Sequence, residues 1–222
     1  RHGLPWVRVK LAMSLDGRTA MASGESQWIT GPQARSDVQR LRAQASAIIT
    51  GADTVLMDNA RLNVRAEELA LEPSQHYWAT QRAPMRVLID SRLRVPCEHV
   101  FFQAGDAWIA SSRAPQQRAK NTHWLNVPAA QNHIDLTALL KILAHEHAIN
   151  EVLVEAGPQL AGAFLRAGLV DELVIYMAAK LLGSQANPLF ALPLDKMAQA
   201  VELDIQDIRA VGEDWRLTCA VK

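Results

Sequence analysis

Groups that can hold a charge or move a proton gather, in this sequence, at the ends of apolar runs. Residues 152–173 read VLVEAGPQLAGAFLRAGLVDEL. The aliphatics Val152, Leu153 and Val154 lead to Glu155, then to Gly157-Pro158 and a helical apolar period. Leu160, Ala161, Phe164 and Leu165 fall on one helix face, and Gly168 stands where a C-terminus is expected. Pro158 suits the first helical position, where its missing N–H costs nothing, and Gly157 allows a sharp turn and a close backbone approach to a ligand. A strand, a glycine turn and a helix start together present N–H groups and a positive dipole end to an anion. Glu155 sets a carboxylate beside that phosphate-sized cradle.

Other candidates sit at comparable places. Lys10 lies near the end of an alternating strand, where an open α/β sheet places its ligands. Arg61 and Arg65, within RLNVR, either clamp a phosphate through paired N–H donors or face solvent; spacing alone does not separate the two. Ser91 follows the strand MRVLID, and Ser or Arg there suits a nucleotide 2′-phosphate, whereas Asp90 suits a free ribose hydroxyl. Ser26, in the Gly24–Ser26 loop, either touches a substrate or merely faces water. His145 and His147 are two apart on a helix and point in different directions, which argues against a shared metal.

The elements that must position these groups follow from periodicity. Residues 5–13 alternate, with Val7, Val9 and Leu11 on one face and Arg8, Lys10 and Ala12 on the other. Asp16-Gly17 is a turn. Thr30 and Gln33 form a capping box ahead of a helix whose core face is Ala34, Val38, Leu41 and Ala45. Short strands are expected at 47–50, 85–90, 107–111, 123–127 and 172–178. A helix capped by Asp135 carries Leu136, Leu139, Leu140 and Leu143, and 201–209 with 215–221 form a terminal hairpin. Residues 66–84 read as a surface excursion. Strands alternating with helices imply an α/β protein with a mostly parallel central sheet, helices on both faces and a C-terminal antiparallel hairpin. No repeat or linker appears, so residues 1–222 read as a single domain.

Composition narrows the classes. Of 222 residues 49% are hydrophobic and 21% charged, an ordinary globular balance. Lys+Arg and Asp+Glu number 23 each, so no global field draws the chain to nucleic acid or an anionic membrane. No apolar run is long enough to span a bilayer. The isolated Cys97 and Cys219 form no zinc pattern and fit a reducing, cytoplasmic compartment.

Five stretches taken in order, VRVKLAMSLDGRTA, SQWITG with the following helix, GADTVLMDNARLNVR, VLIDSRLR and VEAGPQLAGAFLRAGLVDEL, cover nearly the whole chain. Together they resemble the reductase domain of the riboflavin-biosynthesis bifunctional deaminase–reductase, and the match looks near to its enterobacterial form. The resemblance implies a dihydrofolate-reductase-like fold and NADPH-dependent reduction of the ribose of 5-amino-6-(5-phosphoribosylamino)uracil to a ribityl chain. It assigns substrate contacts to Lys10, Ser26, Arg42, Leu62, Arg65 and Glu155, with Lys10 and Glu155 flanking the reacting sugar and available for proton transfer. It assigns NADPH contacts to Ala12, Trp28, Thr54, Asp58, Ser91, Gly157, Pro158, Gln159, Leu160, Ala161, Gly162 and Ala163; Trp28 alternatively reads as a core aromatic. It also implies a homodimer. The family's zinc deaminase, with its His-x-Glu and Pro-Cys-x-x-Cys signature, has no match here. With the start at Arg1, this leads to the expectation of the C-terminal part of a longer bifunctional chain. Two rivals stand beside this reading: a reductase of the same fold acting on a pterin, and a non-catalytic NADPH-binding module.

Overall fold

The computed structural model describes residues 3–117, 119–130 and 133–222. Strand β1 (Trp6–Ser14) alternates as its sequence requires, burying Val7, Val9 and Leu11 and leaving Arg8, Lys10 and Ala12 half-buried. After β2 (Arg18–Ala20), helix α1 (Pro32–Gln44) buries Ala34, Val38 and Leu41. Its first intrahelical bond runs from the Arg35 N–H to the Gly31 carbonyl, so Gly31 rather than Thr30 is the N-cap. The Gly31 N–H is itself taken by the Asp214 carboxylate at 2.7 Å, which does the work expected of a local capping box.

The buried strand β3 (Ala47–Gly51) runs directly into α2 (Ala52–Asp58). The surface excursion contains a 3-10 turn at Ala66–Glu68 and α3 (Pro73–Thr80). Then come β4 (Met85–Ile89), α4 (Val100–Gln103), β5 (Ala107–Ser111) and β6 (Thr122–Asn126), followed by the small pair β7 (Ala129–Ala130) and β8 (His133–Ile134). Helix α5 (Leu136–His147) is capped by Asp135, whose carboxylate accepts the Ala138 N–H at 3.0 Å, and it buries Leu139, Leu140 and Leu143 completely. Strand β9 (Glu151–Glu155) leads into α6 (Pro158–Arg166) and β10 (Glu172–Ala178). Last come β11 (Asn187–Pro188), β12 (Leu203–Val211) and β13 (Asp214–Val221).

The chain forms two compact units, residues 1–6 with 39–153, and residues 7–38 with 154–222. No linker separates them in sequence, and the divisions fall inside β1, α1 and β9. In the first unit β3, β4, β5 and β6 pair in parallel, in that order. Ala47, Ile48, Ile49 and Thr50 are all buried, the continuous run that a two-sided parallel strand needs. In the second unit β1 pairs in parallel with β10, placing Ala12 opposite Tyr176, and β10 pairs antiparallel with β13. Strands β12 and β13 close this edge as the expected hairpin. The α/β class, the mostly parallel sheet and the C-terminal antiparallel hairpin are as anticipated.

Candidate active site

In the second unit the sheet itself brings charges together. Lys10 and Ala12 share one face of β1, and the register sets Tyr176 opposite Ala12, so Lys10 and Tyr176 are diagonal neighbours on one face. The Lys10 ammonium lies 5.9 Å from the Tyr176 ring centroid. Tyr176 is fully buried, and its hydroxyl donates to the Asp37 carboxylate at 2.6 Å. Arg216, opposite Tyr176 on β13, donates to the same Asp37 oxygen at 3.0 Å. Burial first, and then the bond to Asp37, push the Tyr176 phenol well above its ordinary pKa, so it stays neutral; the charge of Glu155 adds to the push. Glu155 closes β9 and is buried. Lys10 and Glu155, singled out from sequence, therefore both act on one buried tyrosine that sequence reading passed over.

The glycine turn after β9 is built differently from the expectation. Gly157 is the N-cap of α6, but at φ −71° and ψ 177° it is ordinary extended backbone that any residue adopts. The constrained glycine is Gly162, where an added Cβ would stand 2.6 Å from the Ala191 carbonyl oxygen. Pro158 fills the first helical position as foreseen. At the next two positions the amides of Gln159 and Leu160 have no intrahelical acceptor by helix geometry, and the Ala161 N–H bonds the Gly157 carbonyl at 3.2 Å. Ala161 and Gly162 are buried, while Leu160 and Ala163 are half-buried and Gln159 is exposed.

Elsewhere in this unit, Ser26 is half-buried. Trp28 is 59% exposed, which removes the core-aromatic reading. The Arg35 guanidinium sits 4.6 Å from the centre of its indole, and Lys180 donates to its carbonyl at 2.9 Å.

The first unit holds the remaining candidates. Arg42 donates to the Asn63 carbonyl at 3.2 Å, Arg65 pairs with Glu68 at 2.7 Å, and the Arg65 N–H is received by Gln39 at 3.0 Å. Leu62, between them, has φ +52° and a buried side chain, so what it can offer a ligand is main chain. Neighbouring Arg61 gives its carbonyl to Arg86 at 2.8 Å. Arg86 is buried in β4 and also donates to the carbonyls of Phe101, Gly105 and Asp106; burial lowers its pKa to about 10. It was legible as a charged residue inside an apolar strand, but was read only as part of the run. Thr54 and Asp58 lie half-buried on α2. Asp90 is buried with one carboxylate oxygen on the Val95 N–H at 2.9 Å, which leaves half-buried Ser91 as the more accessible polar side chain at that strand end. On α5 the His147 ring meets Trp108 edge-on at 4.7 Å, while His145 neighbours Gly3.

Lys10 lies in the middle of β1 rather than near its end as expected, while Glu155 does end β9. A mostly parallel α/β sheet closed by a C-terminal antiparallel hairpin is the architecture of the dihydrofolate-reductase-like class. Within that class the chain belongs to the RibD C-terminal domain family, whose model matches residues 5–217. It is 49% identical to the riboflavin biosynthesis protein RibD of Escherichia coli over 222 residues, 96% of this chain and 59% of that protein. The 5-amino-6-(5-phosphoribosylamino)uracil reductase of Buchnera aphidicola from Acyrthosiphon pisum is 36% identical, and the match covers 91% of this chain and 99% of that protein. The solved structure of Acinetobacter baumannii RibD superposes with a TM-score of 0.88 at 38% identity, covering 100% of this chain and 59% of that one. The chain thus spans 59% of the length of the Escherichia coli and Acinetobacter proteins.

Proposed function

We propose that this chain reduces the ribosyl group of 5-amino-6-(5-phosphoribosylamino)uracil to its ribityl product, using NADPH, in riboflavin biosynthesis. The observation that carries the reading is the Buchnera relative, which bears that reductase name and is matched over 99% of its own length. The further zinc deaminase domain expected in the longer relatives, the homodimer and the cytoplasmic location belong to the same proposal.

The residues present fit the cofactor. The first-turn amides of Gln159 and Leu160, which helix geometry leaves without intrahelical acceptors, suit a diphosphate at the α6 start, and the inward turn of Asp90 leaves Ser91 to meet a 2′-phosphate. Ala12, Trp28, Thr54, Asp58 and Gly157 to Ala163 would hold the rest. When bound at these residues, NADPH would supply a hydride for C1′ of the opened sugar. The protein's share is positioning and exclusion of water. Arg42, Arg65, Ser26 and the Leu62 main chain hold the phosphorylated pyrimidine. Opening the glycosylamine to an imine moves a proton off nitrogen and another onto the ring oxygen; Lys10 and Glu155 serve as the donor and acceptor groups, and the acceptor returns its proton to the nitrogen as the imine is reduced.

NADPH oxidation, followed by absorbance with the deaminated phosphoribosylaminouracil and separately with dihydrofolate, tests this. Turnover with the first substrate alone is expected; turnover with dihydrofolate alone would transfer the fold to a pterin reductase. NADPH binding without either turnover would leave a binding module. In Glu155→Gln, kcat should fall by roughly a hundredfold or more, the scale of a lost general acid–base group, with NADPH affinity nearly unchanged. Equal loss of both would make Glu155 a structural residue.

A further inference from the structure

The Tyr176 ring lies under the Lys10 ammonium and is itself held from two sides. Its hydroxyl is tied to Asp37 at 2.6 Å, and Asp37 is fixed in turn by Arg216 at 3.0 Å. Three elements meet here, because Asp37 comes from α1, Tyr176 from β10 and Arg216 from the facing position on β13. The side chains of Asp37 and Arg216 are both only 15% exposed. The tyrosine is thus tethered at its hydroxyl, and burial together with the bond to Asp37 keeps its phenol protonated. What it presents to Lys10 is a π-face with its electron-rich side at 5.9 Å, within cation–π reach.

We propose that Tyr176 is a positioning residue for the reduction: locked by Asp37 and Arg216, its ring holds the Lys10 ammonium in place and in its charged form. The inference rests on the reading of Lys10 as a proton-transfer group. Its physical content is that Tyr176 acts through Lys10 and has no independent effect on turnover. The charged groups that bear on Tyr176 are Asp37 from α1, Arg216 from β13 and Glu155 from β9, and all three stay unsubstituted in the variants below.

The test is a double-mutant cycle of Lys10→Ala and Tyr176→Leu, with Tyr176→Phe as the conservative control. Tyr176→Leu removes the ring and should lower kcat roughly threefold to thirtyfold, the scale of a lost desolvated cation–π contact, with KM for the pyrimidine little changed. Tyr176→Phe keeps the ring but cuts its tie to Asp37, and should recover part of that loss, the remainder measuring the lock. The Leu substitution made in the Lys10→Ala background should cost nothing further, since the group it acts through is already gone. Multiplicative losses in the double variant, or a Phe variant as slow as the Leu variant, would overturn the inference while leaving Lys10 in its role. A Lys10→Ala enzyme as fast as the parent would remove the role of Lys10 and this inference with it. A measurement independent of turnover is the titration of the Lys10 signal by NMR after reductive methylation, assigned by its absence in Lys10→Ala. Its midpoint should drop in Tyr176→Leu and hold in Tyr176→Phe; an unmoved midpoint in the Leu variant counts against the ring.

Discussion

Asp16 follows β1 and collects donors from two distant parts of the second unit. Its carboxylate accepts the Ser14 hydroxyl and, from the other segment, the N–H groups of Leu182 at 3.1 Å and Gly183 at 2.8 Å. The Ser14 hydroxyl bond first, and then that of Gly183, hold its pKa at about 2. A carboxylate held below its unfolded value of about 3.9 stabilises the native state above that pH, and the benefit declines as pH falls towards the folded value. The melting temperature of the parent should therefore exceed that of Asp16→Asn near neutrality. The gap should narrow between about pH 4 and pH 2 and vanish below. A gap that persists unchanged into strong acid would show that the amide substitution itself, rather than the charge, is responsible. Nothing local announced this, because Asp16 reads in sequence as the first half of an Asp-Gly turn and its amide donors lie 166 and 167 residues away.

At the scale of the element, α6 shows two glycines kept for different reasons. At its end Gly168 has φ +62°, the Gly168 N–H bonds the Leu165 carbonyl at 2.9 Å and the Leu169 N–H bonds the Phe164 carbonyl at 3.0 Å. That pair of bonds is a Schellman closure, and it needs a left-handed residue. Alanine there meets no atom within 4 Å and loses only backbone energy, about 1 kcal/mol. Within the helix, alanine in place of Gly162 gains about 1 kcal/mol of helix propensity. It also drives a Cβ to 2.6 Å from the Ala191 carbonyl oxygen. Segment 191 cannot simply recede, because the Ala191 N–H holds the Pro158 carbonyl at 3.1 Å and Arg166 holds the Ala191 carbonyl at 2.6 Å. The clash, about 1–3 kcal/mol, outweighs the propensity gain. Gly162→Ala should therefore melt lower than the parent and weaken NADPH binding, since it displaces the helix start, whereas Gly168→Ala should melt lower with NADPH affinity intact. A rise in melting temperature for Gly162→Ala would mean that the helix and segment 191 yield freely. The sequence marked α6, its proline and its stop correctly, yet placed the constraint at Gly157, because glycine before proline resembles a turn and a contact 29 residues onward does not show in a local pattern.

For the whole molecule, what a local reading catches is whatever repeats at the period of a strand or helix. The faces of β1, α1 and α5 and the terminal hairpin were all legible on that basis. What it misses is any contact that closes over long separation: Asp214 on Gly31 in place of a capping box, the Asp37–Tyr176–Arg216 lock, and the four carbonyls around Arg86. The same limit applies to chemistry, since a metal site is a long-range constellation. Among the described residues no group of three or more His, Cys, Asp or Glu is placed to hold a metal ion. In the second unit the groups on β1, at the end of β9 and at the α6 start are instead an ammonium, a carboxylate and backbone amides, which can polarise and position a substrate through hydrogen bonds. Reduction by this chain should therefore proceed at the same rate after exhaustive chelation, and the chain should release no ammonia from the amino substrate that a zinc deaminase converts. A loss of reduction on chelation that zinc restores would require a ligand set assembled only with substrate present, and would turn the assignment of Lys10 and Glu155 from proton transfer towards support of that metal.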